Sequence, residues 1–550
     1  METAAWRSWN VRRFCLESLD YASNRPRLLI ALVLTALVVY GVRLFNGAVG
    51  LDTECTLQTG GIMPGSMQIG RSVLCALQYA WGIGNVNLYA ANFVSVLLLV
   101  VAAMLWCFWW STLSQARMRM FPLVAFGVYF LSSGVWQELL YYTFQAPETA
   151  LMVALLPFVL FLIFRRDGWQ GKRELVFTAV LLALMISVYQ AVAVYYVGGA
   201  LASLVACSFW GQEKQLSTRR KIAAELAKIF AVLFAALVLY VVLDHLVMAA
   251  FSLGKNPYLL DKAGTHGRGV FHVILKTAGY AVLMMFGNCS FIDPAIMKFG
   301  NPTGESIKWF HAYHYGVSSI GYLPVLFAYA YLLWKSEREM LIRIIAALLP
   351  LAILIFPLAG GGTISVRVQW TIPLLIGFMM LFVLQESRMR WRSGCVLVLV
   401  VICFFQVQHV AGQNYASVRM YEFDQQIAHT VNRDLCNALE GARQEDVRVL
   451  FYGAAEPHFS GLFVPAVLSQ HPIAGANHAK KTEGTEREAA FLHAMGYEWH
   501  PVAEDAPGAE LDELRDIAKT MPCYPNAGYV ARHGDVMIVK FSESNYVPAK

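Results

Sequence analysis

Residues 28–54 read LLIALVLTALVVYGVRLFNGAVGLDTE. From Leu28 to Phe45 the run is apolar apart from Thr35 and Arg43, long enough as a helix to cross a hydrocarbon core of ~30 Å. Asp52, Thr53 and Glu54 then stand a few residues beyond its end, and Arg71 follows. Working outward, comparable apolar runs begin near Leu88, Phe121, Thr149, Leu175, Ala191, Ile222, Gly316, Leu341, Val368 and Cys395, about eleven spans in all on the ~20-residue criterion. Leu175 to Trp210 is too long for one helix and too short for two with a real loop, so a tight helical hairpin is expected near Gln190. Hydrophobic residues make up 57% of the 550 positions and charged residues 15%, a balance that points to an integral membrane protein rather than a single soluble core.

Orientation follows from the positive-inside rule. Arg7, Arg12, Arg13, Arg25 and Arg27, then Arg117 and Arg119, Arg165 to Arg173, Lys214 to Lys221, Lys335 to Arg343 and Arg388 to Arg392 collect on one side, which becomes the cytoplasm. The N-terminal segment 1–27 is then inside, followed by a membrane domain over 28–411 with external loops at 46–87, 137–148 and 251–315. Val270 to Phe286 is apolar, but a crossing there would invert the cluster from Lys335 to Arg343, so a re-entrant or interfacial helix is expected. An Arg-bearing segment precedes the first run and no small-residue cleavage site follows it, so that run reads as a retained anchor rather than a signal peptide.

From about residue 412 to 550 the chain reads as an external soluble α/β domain. Acidic residues outnumber basic ones 19 to 12 from Gln413 onward, which argues against nucleic acid as a partner. A helix is expected over Tyr415 to Leu439, a strand over Val447 to Tyr452, helices over Arg487 to Met495 and Leu511 to Thr520, and a hairpin flanking His533-Gly534. Cys436 and Cys523 are the two cysteines of this tail, and an oxidising exterior favours a disulfide between them. No CxxC or HExxH spacing marks a metal site.

Ionisable groups beside membrane spans are costly and usually face a cavity or an interface. On the external side these are Asp52, Glu54, Arg71, Glu138, Glu148, Asp244, His245, His266, Arg268 and Arg367. A carboxylate beside cations suits glycosyl transfer from a phosphate-linked donor: the acid takes a proton from an acceptor hydroxyl, and guanidinium forks hold the departing phosphate. Trp136, Tyr141, Tyr142 and Phe144 offer faces for a sugar ring. The plainer alternative is that these carboxylates and rings are solvated charges and an interfacial aromatic belt.

With Leu51-Asp52-Thr53-Glu54 and Gly70-Arg71 after the first span, Asn92-Phe93, Ser187-Val188-Tyr189-Gln190 and Arg367-Val368-Gln369, the chain resembles the polytopic GT-C glycosyltransferases. More narrowly, it resembles the bacterial Gtr-type glucosyltransferases that modify O-antigen. The resemblance implies a GT-C-type helix bundle in the bacterial inner membrane, with its active site and C-terminal domain facing the periplasm. It implies transfer of glucose from undecaprenyl-phosphate-glucose to a lipid-linked O-antigen. On that basis Asp52, Glu54 and Glu138 are the candidate catalytic acids, with Asp52 matching best; Arg71, Arg367 and Arg268 are candidate phosphate contacts; Trp136, Tyr141, Tyr189, Gln190 and His266 are candidate lining residues. GT-C enzymes often carry two adjacent acids in this loop, whereas Thr53 separates them here, so the choice of base stays open. Several of them use a divalent cation near the phosphate; no other cofactor is implied. A lipid-linked sugar transporter or flippase is the main alternative and predicts repeats and mid-membrane polar groups; an O-antigen polymerase or ligase is another.

Overall fold

The computed structural model describes residues 2–50, 52–58, 64–80, 87–115, 118–164, 172–211, 218–254, 256, 269–285, 318–361, 366–387, 389–453, 455, 485–503 and 508–543. His266 and Arg268 lie outside these residues.

Helices occupy the eleven apolar runs. After an N-terminal helix α1 (Glu2–Ser23), the first run forms α2 (Pro26–Phe45), followed by three short helices, α3 (Thr53–Gln58), α4 (Pro64–Gln68) and α5 (Ser72–Ala80). Then come α6 (Leu88–Leu113), α7 (Met120–Leu131), α8 (Gly134–Tyr141), α9 (Ala146–Phe164), α10 (Lys172–Val188), α11 (Ala191–Trp210) and α12 (Arg219–Ala250). The α10–α11 pair breaks at Tyr189 and Gln190, where the sequence places a hairpin. Beyond α12 are helices Val270–Met285, Ser318–Trp334, Met340–Leu348, Ile355–Ala359 and Thr371–Glu386, then the long helix Met389–Asn437. Among the described residues eight helices are long and apolar enough to cross a membrane by length and composition. The molecule is a polytopic helical membrane protein.

Pro26 opens α2 at its first turn, where a missing N–H costs nothing. Leu28, Leu32, Ala36, Val39 and Arg43 are buried at helical spacing, while Ile30, Leu34, Leu37 and Val38 on the other face are exposed. Apolar residues on both faces suit a helix between protein and lipid. The bundle core is rich in indoles, whose N–H groups need partners when buried: Trp106 donates to the Tyr195 hydroxyl at 2.7 Å and Trp109 to the Ser203 hydroxyl at 2.8 Å. At the periphery α12 runs 32 residues, about 48 Å at ~1.5 Å per residue, which exceeds a ~30 Å hydrocarbon core.

The long helix joins the bundle to the C-terminal elements. Gln406 Nε2 donates to the Tyr129 carbonyl at 3.1 Å and Asn414 Nδ2 to the Val39 carbonyl at 2.8 Å. Past Asn437 come strand β1 (Arg448–Tyr452), helix Thr485–Ala494, β2 (His500–Pro501), helix Gly508–Thr520, β3 (Val530–His533) and β4 (Val536–Lys540). The sheet order is β2-β1-β4-β3, with β1 parallel to both β2 and β4 and β3 antiparallel to β4. Strand residues alternate between faces. Val449, Phe451, Met537 and Val539 pack with Ile427, Ala428 and Val431 of the long helix and with Phe491 and Leu492, whereas Leu450, Tyr452 and Ile538 pack with Leu514 and Ala518. Helices cover both sheet faces, and each predicted strand and helix of the tail coincides with an observed one. Ala48 and Val49, which follow α2, belong to the first of these cores, so the loop leading to Asp52 is packed into the C-terminal elements.

Cys436 and Cys523 are both free thiols, contrary to the expected disulfide. Cys436 is exposed near the end of the long helix, and the Cys523 thiol donates to Glu543 Oε1 at 3.3 Å. Cysteine count and compartment supplied the pairing, but neither carries geometry.

Candidate active site

Helix α2 ends at Phe45, and the backbone then extends through Asn46. At Gly50 a Cβ would lie 2.0 Å from the Tyr141 carbonyl oxygen, so the loop presses against the end of α8 with room only for glycine. Asp52 adopts φ 63°, a left-handed conformation tolerated better by Asp than by most residues. Its carbonyl accepts from the Thr56 N–H at 3.2 Å and the Thr56 hydroxyl at 2.8 Å, which begins α3. Glu54 falls in the first turn of that helix and is wholly buried.

Both acids meet Arg487, from helix Thr485–Ala494. One guanidinium nitrogen is 2.6 Å from Asp52 Oδ1 and the other 3.0 Å from Glu54 Oε1. Burial raises the Glu54 carboxyl from its ordinary 4.5 to about 7; Arg487 opposes this and Asp52 adds to it. Glu54 Oε2 has no hydrogen-bond partner among the described residues. Next to Arg487, Glu488 is buried and its carboxyl is pushed well up, first by burial and also by Glu54 and by Asp424 of the long helix.

Two further cations, Arg71 and Arg367, are coupled to each other, and Arg367 is also coupled to Asp52. Gly70, at φ 77°, sits where a Cβ would lie 2.3 Å from the Tyr240 hydroxyl, and the turn it allows presents Arg71. The Arg71 guanidinium donates to Gln190 Oε1 at 3.3 Å and Gln145 Oε1 at 3.2 Å and lies 4.5 Å above the Tyr189 ring. Tyr189 in turn stacks on Trp370 at 5.2 Å, and Gln190 Nε2 donates to the Ile69 carbonyl at 2.9 Å. Arg367 lies 4.0 Å over the Tyr142 ring and donates to its hydroxyl. Burial lowers the Arg367 guanidinium, Glu138 and Asp52 raise it, and Arg71 lowers it. Asp52, Glu138, Arg71 and Arg367 therefore share one neighbourhood. Among the described residues neither Arg71 nor Arg367 forms an ion pair with a carboxylate; amides and ring faces hold them.

The other expected lining residues are placed differently. Trp136 is fully enclosed, donating to the Phe130 carbonyl at 2.7 Å and packing on Phe130 and Trp370, so its ring has no free face for a sugar. Tyr141 is also enclosed, its hydroxyl accepting from Gln137 at 2.8 Å and its ring facing Arg43. Tyr189 and Gln190 do converge on the site, as supports of Arg71. For a divalent cation, the donor set is unsuited: Asp52 and Glu54 face Arg487, and among the described residues no group of three or more His, Cys, Asp or Glu side chains is placed to hold a metal.

The profile of the glucosyl transferase GtrII family matches residues 41–384, from the end of α2 to the helix after Arg367. The chain belongs to the glucosyl transferase GtrII family. No curated protein and no solved structure matches it. The match spans Asp52, Glu54, Arg71, Glu138 and Arg367 and ends before Arg487.

Sequence reasoning did not single out Arg487, Glu488 or Arg43. Arg43 is buried in α2, donating to Asn92 Oδ1 at 3.0 Å, Thr143 Oγ1 at 3.1 Å and the Leu140 carbonyl. It locks the turn between α8 and α9 beneath the site. An ionisable group inside a span was the available signal for Arg43; nothing local marks Arg487.

Proposed function

We propose that this glucosyltransferase moves glucose from undecaprenyl-phosphate-glucose to a lipid-linked O-antigen at the periplasmic face of the bacterial inner membrane. The observation that carries this reading is the division of charge near Asp52: the acids are tied to Arg487, while Arg71 and Arg367 have no carboxylate ion pair among the described residues. A pair of guanidiniums held by amides and π faces suits a phosphate, whose oxygens match the planar fork.

In this mechanism Asp52 takes the proton from the acceptor hydroxyl as that oxygen attacks the anomeric carbon. The bond from that carbon to the donor phosphate breaks, and Arg71 and Arg367 stabilise the charge that develops on the leaving oxygen. Glu138 orients the acceptor, and Glu54 fixes the loop. The N-terminus lies inside, and the loop with Asp52, the segment 251–315 and the C-terminal α/β domain from about residue 412 lie outside.

The test supplies purified protein with labelled glucose on either undecaprenyl phosphate or a uridine nucleotide, together with lipid-linked O-antigen. Transfer from the lipid donor alone supports the reading. Transfer from the nucleotide sugar alone refutes it.

A further inference from the structure

We propose that Arg487 is a positioning residue for glucosyl transfer: supplied from beyond the family-matched segment, it holds Asp52 aimed at the acceptor and keeps it from collapsing onto the phosphate-binding arginines. This rests on Asp52 being the base.

Three observations carry it. The fork is divided, with one nitrogen on each acid at 2.6 and 3.0 Å, so Arg487 fixes the two carboxylates relative to each other. Asp52 sits in a left-handed backbone conformation at φ 63°, and the direction of its side chain is set by the group that grips it. The helix bearing Arg487 is immobilised, because Ala489, Phe491 and Leu492 are buried in the same core as Ala48 and Val49 of the loop before Asp52. Loop and clamp are thus built on one rigid base. Cys55 on α3 and Glu488 on the Arg487 helix couple to Glu54, and Arg367 couples to Asp52; Glu486 and Asp424 lie one step further out, coupled to Cys55 and Glu488. Among the described residues Arg487 is the cation in direct contact with the pair. Arg367 is another positive charge whose field reaches Asp52, and a pairing there would consume both the base and half of the phosphate clamp.

The test is the split between kcat and donor KM for transfer from undecaprenyl-phosphate-glucose by membranes carrying the full chain with Arg487→Gln or Arg487→Lys, with Asp52→Asn in parallel. A base released from its clamp is misaimed, so Arg487→Gln is expected to lower kcat at least ~10-fold and, as Asp52 turns toward Arg367, to raise the donor KM. Arg487→Lys keeps the charge without the two-armed geometry; it is expected to keep the wild-type donor KM while kcat stays reduced. Should Arg487→Gln fail to fold, judged by its melting in detergent, the Lys variant decides, and wild-type kcat overturns the proposal. An unchanged kcat and KM in folded Arg487→Gln also overturns it. If Asp52→Asn is inactive while Arg487→Gln behaves as wild type, only the positioning role fails; if Asp52→Asn transfers at the wild-type rate, the base assignment and this role fall together.

Discussion

Glu54→Gln is expected to change how stability depends on pH, in a direction fixed by where Glu54 sits. Glu54 is wholly buried, and its carboxyl is raised from 4.5 to about 7, chiefly by that burial. Between these two pH values the folded protein holds a proton that the unfolded chain has released. Stability therefore falls as pH rises across the window and levels off above about 7. At about 1.36 kcal/mol per pH unit, the loss amounts to roughly 3 kcal/mol for a carboxyl moved from 4.5 to about 7. Glutamine is neutral throughout and loses nothing. Whatever the substitution does to the contact with Arg487 at low pH, the stability difference between variant and wild type should grow in the variant's favour from pH 5 to 7 and then stay level. Glu488 is present in both chains, and because the Glu54 charge also raises its carboxyl, removing that charge relieves Glu488 and adds to the same trend. The assay is the thermal unfolding midpoint of the detergent-solubilised protein at pH 5, 6, 7 and 8. A difference that stays constant across those values, or that shrinks as pH rises, refutes the reasoning.

Arg71→Ala and Arg367→Ala should each raise the KM for undecaprenyl-phosphate-glucose about 10-fold or more, since a hydrogen bond to a charged group contributes about 1.5–3 kcal/mol; unchanged donor titration curves for both would remove the phosphate clamp. Gly50→Ala places a Cβ 2.0 Å from the Tyr141 carbonyl oxygen and must displace the loop bearing Asp52. Its kcat should drop about 10- to 100-fold through misplacement of the base, and a fully active variant would show that the loop adapts without moving Asp52. The buried Lys540 side chain donates to the Lys519 carbonyl at 3.0 Å and the Met521 carbonyl at 2.7 Å, so Lys540→Met removes the donor from these two carbonyls at the end of helix Gly508–Thr520. A cost of about 1–3 kcal/mol per orphaned group should speed limited proteolysis of the C-terminal elements, and an unaltered cleavage rate would argue against it.

The helices were legible because hydropathy has a long range: each apolar run forms a helix, and a run from Val447 to Tyr452 closed by Gly453 is enough to place a strand. The first-loop acids and Arg71 were legible because charge next to a span is costly. What hydropathy lacks is the direction of a face. Trp136 and Tyr141 have the composition of an interfacial belt, yet both lie enclosed, one among rings and the other over Arg43. The meeting of Arg487 with Asp52 and Glu54 was not legible at all, since it depends on how Ala48 and Val49 dock into the core formed by the sheet and long helix, a contact set by the assembled fold.

The most direct test of the account is the rate of labelled glucose transfer from undecaprenyl-phosphate-glucose to lipid-linked O-antigen by Asp52→Asn at matched expression, with Glu54→Gln alongside. Asn keeps the size and hydrogen-bonding reach of Asp and removes its basicity, so the account predicts a loss of about 10²- to 10⁴-fold for Asp52→Asn and a smaller loss for Glu54→Gln. Wild-type transfer by Asp52→Asn would contradict it and move the base to another residue.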